Sequence, residues 1–215
     1  MIKEIFRIIS IWIVVLPLVA GVINYKGLNR DSRWIFLLII VALAPQLLTF
    51  IIDSQNKVLN ISYNLYTVAE FAILYVLFYN KYHLAFYNTI FRLSLWAYLV
   101  IAGWVLVTNG FADKFLNDLV CYNNIIYTVW ILFFLKEQYH LKDTVITQSN
   151  PFAWYLLALL IYAPCTIIVF ALYYYIRAKA NPVLMNTWII QSVCNILLYL
   201  FFTAGLFISR KKECI

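Results

Sequence analysis

Seven apolar runs, each about 20 residues long, follow one another along the chain with only short polar stretches between them. They cover about 5–24, 34–52, 62–79, 88–108, 117–135, 152–176 and 185–208. An α-helix rises about 1.5 Å per residue, so each run matches the roughly 30 Å of hydrocarbon in a bilayer. Within lipid a backbone must satisfy its own hydrogen bonds, which makes helices the structure open to runs like these. The expected fold class is therefore all-α: a polytopic membrane protein with seven transmembrane helices.

Composition agrees. Charged residues make up 12% of the 215 and hydrophobic residues 65%, where a soluble domain carries about 25% charged residues. With a mean hydropathy of +0.86, the chain cannot cover its own surface with polar groups, so a lipid bilayer is its first expected partner. The separators, such as "NYKGLNRDSR", "DSQNKVLN" and "KEQYHLKDTVITQSN", are too short for a soluble domain. Residues 1–215 read as a single membrane domain, and a separate protein partner or a second copy is expected to supply any output.

The net charge of +7 is then a topology signal, and nucleic acid is not an expected partner. Ten of the sixteen Lys and Arg residues fall in the C-terminal tail and the loops on its side, and six on the other. The positive-inside rule puts the C-terminus in the cytoplasm and the N-terminus outside the cell membrane. The first run has Lys3 and Arg7 as a basic start, like a signal peptide. It is longer than the usual apolar core of about 7–15 residues and lacks an A-x-A cleavage site, so it is expected to remain as a span. Trp34, Trp96, Trp154 and Trp188, with Tyr25, Tyr82, Tyr139 and Tyr162, lie near predicted span ends. Amphipathic rings favour the headgroup level, so these read as aromatic belts. The Tyr-rich "ALYYYIRAK" reads as belt in preference to an aromatic cage.

Catalysis finds little material. The two histidines, His83 and His140, both fall in predicted loops, and HExxH, GxSxG and Gly-rich phosphate loops are missing. A retinal-type Schiff base would need a lysine in the last span, and "LMNTWIIQSVCNILLYLFFTAGLFIS" has none. A non-enzymatic protein without metal or cofactor is expected. Cys121, Cys165 and Cys194 sit in apolar runs without metal-ligand spacing and read as small buried hydrophobes. Cys214, after "RKK", is placed for acylation at a membrane surface.

One acidic residue lies well inside a span: Glu70, in "NLYTVAEFAILYVLFYN". A carboxylate at the centre of a membrane helix costs about 2.5–3.5 kcal/mol on insertion scales, so it faces the bundle interior. Tyr63, Tyr66 and Thr67 precede it by seven, four and three residues, on the same face; Ile73, Leu74 and Leu77 continue that face on the other side. The polar stripe is expected to open outward and close inward. The fifth span carries Asn123, Asn124 and Thr128, and the seventh Asn186, Gln191 and Asn195. Buried amides seek partners, so one polar cluster is expected among the third, fifth and seventh spans. Its candidate residues are Glu70, Tyr66, Thr67, Tyr63, Asn64, Asn124, Gln191 and Asn195. Two roles stand open for them: contacts between helices, and a site for a small molecule or proton.

"ALAPQLLTFI" around Pro45 and "IYAPCTIIVF" around Pro164 look alike, and each is followed by a span with Glu70 or Gln191 near its middle. This suggests a 3+1+3 repeat with the fourth helix as linker; Pro17 adds a third expected kink. With Pro45–Gln46, "NLYTVAE" and Asn195, the chain resembles the SWEET and PQ-loop transporters, and equally small bacterial seven-span proteins with a Tyr-x3-Glu-Phe third helix. The first resemblance implies seven spans in 3+1+3 order, an outside N-terminus, and Asn64 and Asn195 near a sugar or amino acid. The PQ pair, however, lies here on the second span and not the first. Only five glycines are present beside 17 Tyr and 16 Phe, a bulky core suited to a comparatively static bundle. The expected function is a sensor or partner-binding module with an outward pocket around Glu70, and the alternative is a small-solute facilitator.

Overall fold

The computed structural model describes residues 2–52, 56–79, 81–141, 149–172 and 187–211. Its helices are α1 (Ile2–Trp12), α2 (Val15–Ile23), α3 (Arg30–Ile51), α4 (Lys57–Phe78), α5 (Ala85–Asn109), α6 (Asn117–Leu141), α7 (Pro151–Ala171) and α8 (Thr187–Lys211), with a 3₁₀ turn at Tyr25–Gly27. Six of them, α3 to α8, are long and apolar enough to cross a membrane. The fold is that of a helical, multi-pass membrane protein.

The first run differs from expectation, because the helix is interrupted after Trp12. Pro17 has no N–H to donate to the Ile13 carbonyl, which takes the Leu16 N–H at 3.1 Å instead; the chain tightens there and restarts as α2. Pro45 and Pro164 lie inside α3 and α7, which continue through them. The fifth expected span, α6, runs past its expected end at 135, to Leu141. Asn186, Cys214 and most of "ALYYYIRAK" (173–179) lie outside the described residues.

Helix starts follow local chemistry. Asn29, Asn56 and Asn150 cap α3, α4 and α7, their side-chain oxygens accepting from Ser32, Val58 and Phe152 N–H groups at 2.8, 2.9 and 3.1 Å. Pro151 opens α7, where its missing N–H costs nothing. α5 ends at Gly110, whose φ of +72° suits a residue without a Cβ.

From α3 to α6, short connections make consecutive helices antiparallel, and the contacts agree. Phe71 of α4 stacks on Tyr98 of α5 with centroids 3.5 Å apart, and Tyr75 on Phe91 at 4.6 Å. Trp130 of α6 joins this group, with its centroid 5.5 Å from Phe71 and 4.9 Å from Phe91. Aromatic packing thus fixes α4, α5 and α6 together. α6 packs on α7, and α7 on α8. Gly205 of α8 lies against the Tyr155 ring of α7, and Gly21 of α2 against the Phe36 ring of α3, so closely that an added Cβ would collide. α1 and α2 lie along α8: Asn195 donates to the Ser10 hydroxyl at 2.9 Å towards one end of the bundle, and the Asn29 N–H to Ser209 Oγ at 3.1 Å at the other. α5 is held on one side only and leaves Val100, Trp104 and Val107 exposed, as lipid-facing side chains are.

Two belt expectations are corrected. Tyr82 is buried and donates its hydroxyl to the Trp130 carbonyl at 2.7 Å. Tyr162 lines an internal cavity. Proximity to a span end does not say which way a ring points, and both rings face neighbouring helices. Tyr25 and Tyr139 are exposed, as belts require.

Candidate functional site

A cavity of about 430 Å³ opens among α1, α3, α4, α7 and α8. Its walls include Ser10, Gln46, Tyr63, Tyr66, Tyr162, Gln191, Asn195 and Tyr199. Apart from Ser10 near the end of α1 and Tyr162 midway along α7, these positions fall in the later part of α3 and the first halves of α4 and α8. Antiparallel neighbours bring those parts to one end of the bundle, the end that also carries the chain's N-terminus.

Glu70 lies just beyond this wall, and 9% of its surface is exposed. The Tyr66 hydroxyl, one helical turn earlier, donates to Glu70 Oε1 at 3.0 Å. Among the described residues that is its hydrogen-bond partner, and no cationic side chain pairs with it. Its carboxyl is within electrostatic range of Tyr162 and Tyr199 across the cavity, and of Tyr98 and Tyr127 behind it. Past Glu70 the same face continues as Ile73, Leu74 and Leu77, all buried. Along this face of α4, polar groups therefore lie at the cavity end and apolar side chains follow beyond Glu70.

The walls hold one another. Gln46 Nε2 donates to the Tyr199 hydroxyl at 3.0 Å, while its side-chain oxygen Oε1 is buried with no partner among the described residues. Gln191 donates to Thr166 Oγ1 at 3.2 Å, and Thr166 donates back along α7 to the Tyr162 carbonyl at 2.9 Å. Asn195 bridges to the Ser10 carbonyl and hydroxyl at 3.1 and 2.9 Å. Thr49 donates to the Pro45 carbonyl at 2.9 Å and sits 3.3 Å from the Tyr63 hydroxyl.

The predicted site residues divide. Tyr63, Tyr66, Gln191 and Asn195 reach the cavity wall, and Glu70 joins them through Tyr66. Asn64 and Asn124 do not line it. Asn64, fully buried, donates to the Phe111 and Lys114 carbonyls at 2.8 and 3.0 Å and accepts from the Leu116 N–H at 3.0 Å, so it ties down the turn between α5 and α6. Thr67 donates to the Tyr63 carbonyl at 2.9 Å, within its own helix. Asn124 does the same towards the Val120 carbonyl at 2.8 Å.

The expected single cluster among the third, fifth and seventh spans is thus replaced by two arrangements. α6 meets α4 through Asn123, which donates to the Thr67 carbonyl at 2.9 Å; the Tyr98 and Tyr127 hydroxyls lie beside that amide without a hydrogen-bond geometry. The cavity instead draws on α1, α3 and α7. Ser10, Tyr162, Ser192 and Tyr199 were missed as wall residues. A signal for two of them was present: Gln191, Ser192, Asn195 and Tyr199 follow the spacing of one helical face.

Comparisons of the chain with protein-family models, with curated proteins and with solved structures find no match. What the fold and site define is a class: an all-helical, multi-pass membrane protein with a tyrosine- and amide-lined cavity near one end.

Proposed function

We propose that this protein is a non-enzymatic sensor or partner-binding module of the cell membrane, with a ligand pocket on its outer side around Glu70. The observation that carries the reading is the cavity with Tyr66 in its wall, Glu70 bonded to Tyr66 just behind it, and the apolar Ile73, Leu74 and Leu77 further along the same face of α4. A buried carboxylate without a basic partner is costly in a static bundle, and intramembrane acids mark sites of function. In this reading α1 and α2 together make the first of seven spans, the N-terminus lies outside and the C-terminus in the cytoplasm.

A ligand would enter between α3, α4, α7 and α8. The far ends of α3, α7 and α8 are joined by the Ser32–Tyr155 hydrogen bond at 2.6 Å and the Asn29–Ser209 bond. A shift of these helices at the cavity is then felt at the cytoplasmic end, where a separate protein or a second copy would read it.

A second reading, a small-solute facilitator of SWEET-like 3+1+3 architecture, is favoured by the prolines. Pro45 lines the cavity, Pro164 lies inside α7, which also contributes to its wall, and Pro17 follows the break after α1, another wall helix. Proteoliposome flux separates the two. The sensor reading expects sugar and amino-acid uptake no faster than in protein-free vesicles, for wild type, Glu70→Gln and Asn195→Ala alike. Robust uptake that Glu70→Gln abolishes would sink it in favour of the facilitator.

A further inference from the structure

We infer that a groove at the start of α3 holds an anionic phospholipid, with the phosphate on Arg30 and Arg33 and one acyl chain along the outer face of α3. The inference uses the membrane class of the protein and does not depend on the cavity beside Glu70.

The groove, of about 530 Å³, is lined by Leu28, Asn29, Arg30, Arg33, Trp34 and Leu37. It lies at the end of the bundle opposite the cavity, where the Asn29 N–H bonds Ser209 of α8. Acceptors in its wall are already engaged. The Leu28 carbonyl accepts from Arg33 Nε at 2.9 Å, and Asn29 Oδ1 accepts from the Ser32 N–H at 2.8 Å. Donors are left over. A guanidinium carries five N–H groups, and Arg33 spends one of them within the wall. No Asp or Glu lines the groove, and neither guanidinium has a carboxylate partner among the described residues. Asp31, between the two arginines in sequence, is bonded instead to Lys81 at 2.5 Å. A guanidinium keeps its charge in proteins and its fork of N–H groups matches the oxygens of a phosphate. Two of them on one groove, without an internal counter-charge, fit an anion.

Placement makes that anion a lipid. The apolar span of α3 is Arg30–Thr49, so the arginines stand where a membrane has its headgroups. Arg30, Arg33, Leu37, Ile40 and Ala44 are all exposed and follow one another at spacings of three, four, three and four, which is one face of a helix. Charge occupies one end of this face and hydrocarbon the rest, in the order of a headgroup and its chain. The eleven steps from Arg33 to Ala44 rise about 16 Å, close to half of the roughly 30 Å of hydrocarbon in a bilayer. A soluble anion would use only the charged end. The Arg33–Leu28 bond holds one guanidinium in place beforehand, so less ordering is left to the moment of binding.

The test is native mass spectrometry of the full chain in detergent, titrated with phosphatidylglycerol or phosphatidylcholine of identical acyl chains. Phosphatidylglycerol is expected to bind about tenfold or more tightly, the scale of two cations acting on one net negative headgroup. Arg30→Gln with Arg33→Gln should bring the ratio close to one. Arg33→Lys should lower it partway, since an ammonium cannot hold Leu28 and also fork onto a phosphate. Arg92→Gln with Lys136→Gln removes two exposed cations on the same side of the membrane, from α5 and α6, and should keep the wild-type ratio. Arg30→Gln alone disturbs no hydrogen bond or ion pair described above, so it should lower the ratio at an unchanged melting temperature even where the double variant folds poorly. Equal binding of the two lipids, an unchanged ratio in the arginine variants, or an equal loss in Arg92→Gln with Lys136→Gln would each overturn the inference. Displacement of the lipid by equimolar glycerol phosphate would overturn it in favour of a soluble phosphate. An acidic protein retained on the groove in place of lipid would overturn it as well.

Discussion

Among the described residues two carboxylates are buried in this bundle, and they are accommodated in different ways. Glu137 of α6 is fully buried, and its Oε1 accepts the backbone N–H groups of His83 (2.8 Å) and Leu84. Leu84 precedes α5 and has no capping side chain of its own, so Glu137 is the cap, delivered from a neighbouring helix to the positive end of the α5 dipole. Glu70 has one tyrosine hydroxyl and a cavity. The first carboxylate spends Oε1 on the start of α5 while its Oε2 is buried without a partner among the described residues, and the second is bonded to a tyrosine that lines a cavity. A buried acid is thus informative about function only after its donors have been counted.

The largest expected effect breaks the Glu137 side of this comparison. Glu137→Ala removes two charge-assisted bonds and leaves the α5 N-terminus uncapped. It should cost about 3–5 kcal/mol, read as loss of monodisperse protein or a steep fall in the detergent melting temperature. Glu137→Gln keeps an acceptor and should lose less than half of that. If Glu137→Ala melts like wild type, the cap is not what secures α5.

Glu70 should behave otherwise. Glu70→Leu strands the Tyr66 hydroxyl and should cost about 1 kcal/mol, whereas Glu70→Leu with Tyr66→Phe removes both partners and should be neutral or stabilising. Denaturant unfolding in micelles measures the pair. A double variant as unstable as Glu137→Ala would make Glu70 structural and weaken the pocket reading.

The smallest effect lies outside the membrane, at Asp113. Its carboxyl is held below the usual carboxylate range by the hydrogen bond and charge of Lys57, 2.8 Å away. A depressed carboxyl contributes stability above its unfolded value, and that contribution fades as pH falls through the folded one. Both side chains are largely exposed, so screening keeps it small. Melting temperature followed from neutral to acid pH should fall slightly more for wild type than for Asp113→Asn.

The contrast between the two acids also shows what was legible beforehand. Glu70 stood out because hydropathy surrounds it for many residues on both sides. Glu137 did not, because "KEQYHLK" reads as a loop while α6 in fact extends through it to Leu141. The partner that makes Glu137 buried, the 81–84 turn, is more than fifty residues away, and no local pattern carries such a pairing. The asparagines show the same limit. Asn64 and Asn195 have equal claims by composition, yet Asn64 closes a turn and Asn195 faces the cavity. The choice depends on which carbonyls come near.

By itself the sequence determined the helical, membrane-spanning class, the six long helices with ends off by as many as six residues, and the polar-to-apolar change along the face of α4. These are consequences of hydropathy and of a period of 3.6, which act over one helix at a time. Tertiary structure alone decided that Pro17 divides the first run in two, that α1, α3 and α7 rather than α6 wall the cavity, and that one buried acid is capped by backbone while the other is left beside space. Those outcomes hang on contacts between residues distant along the chain, where shape and hydrogen-bond reach select one partner among many of the same type.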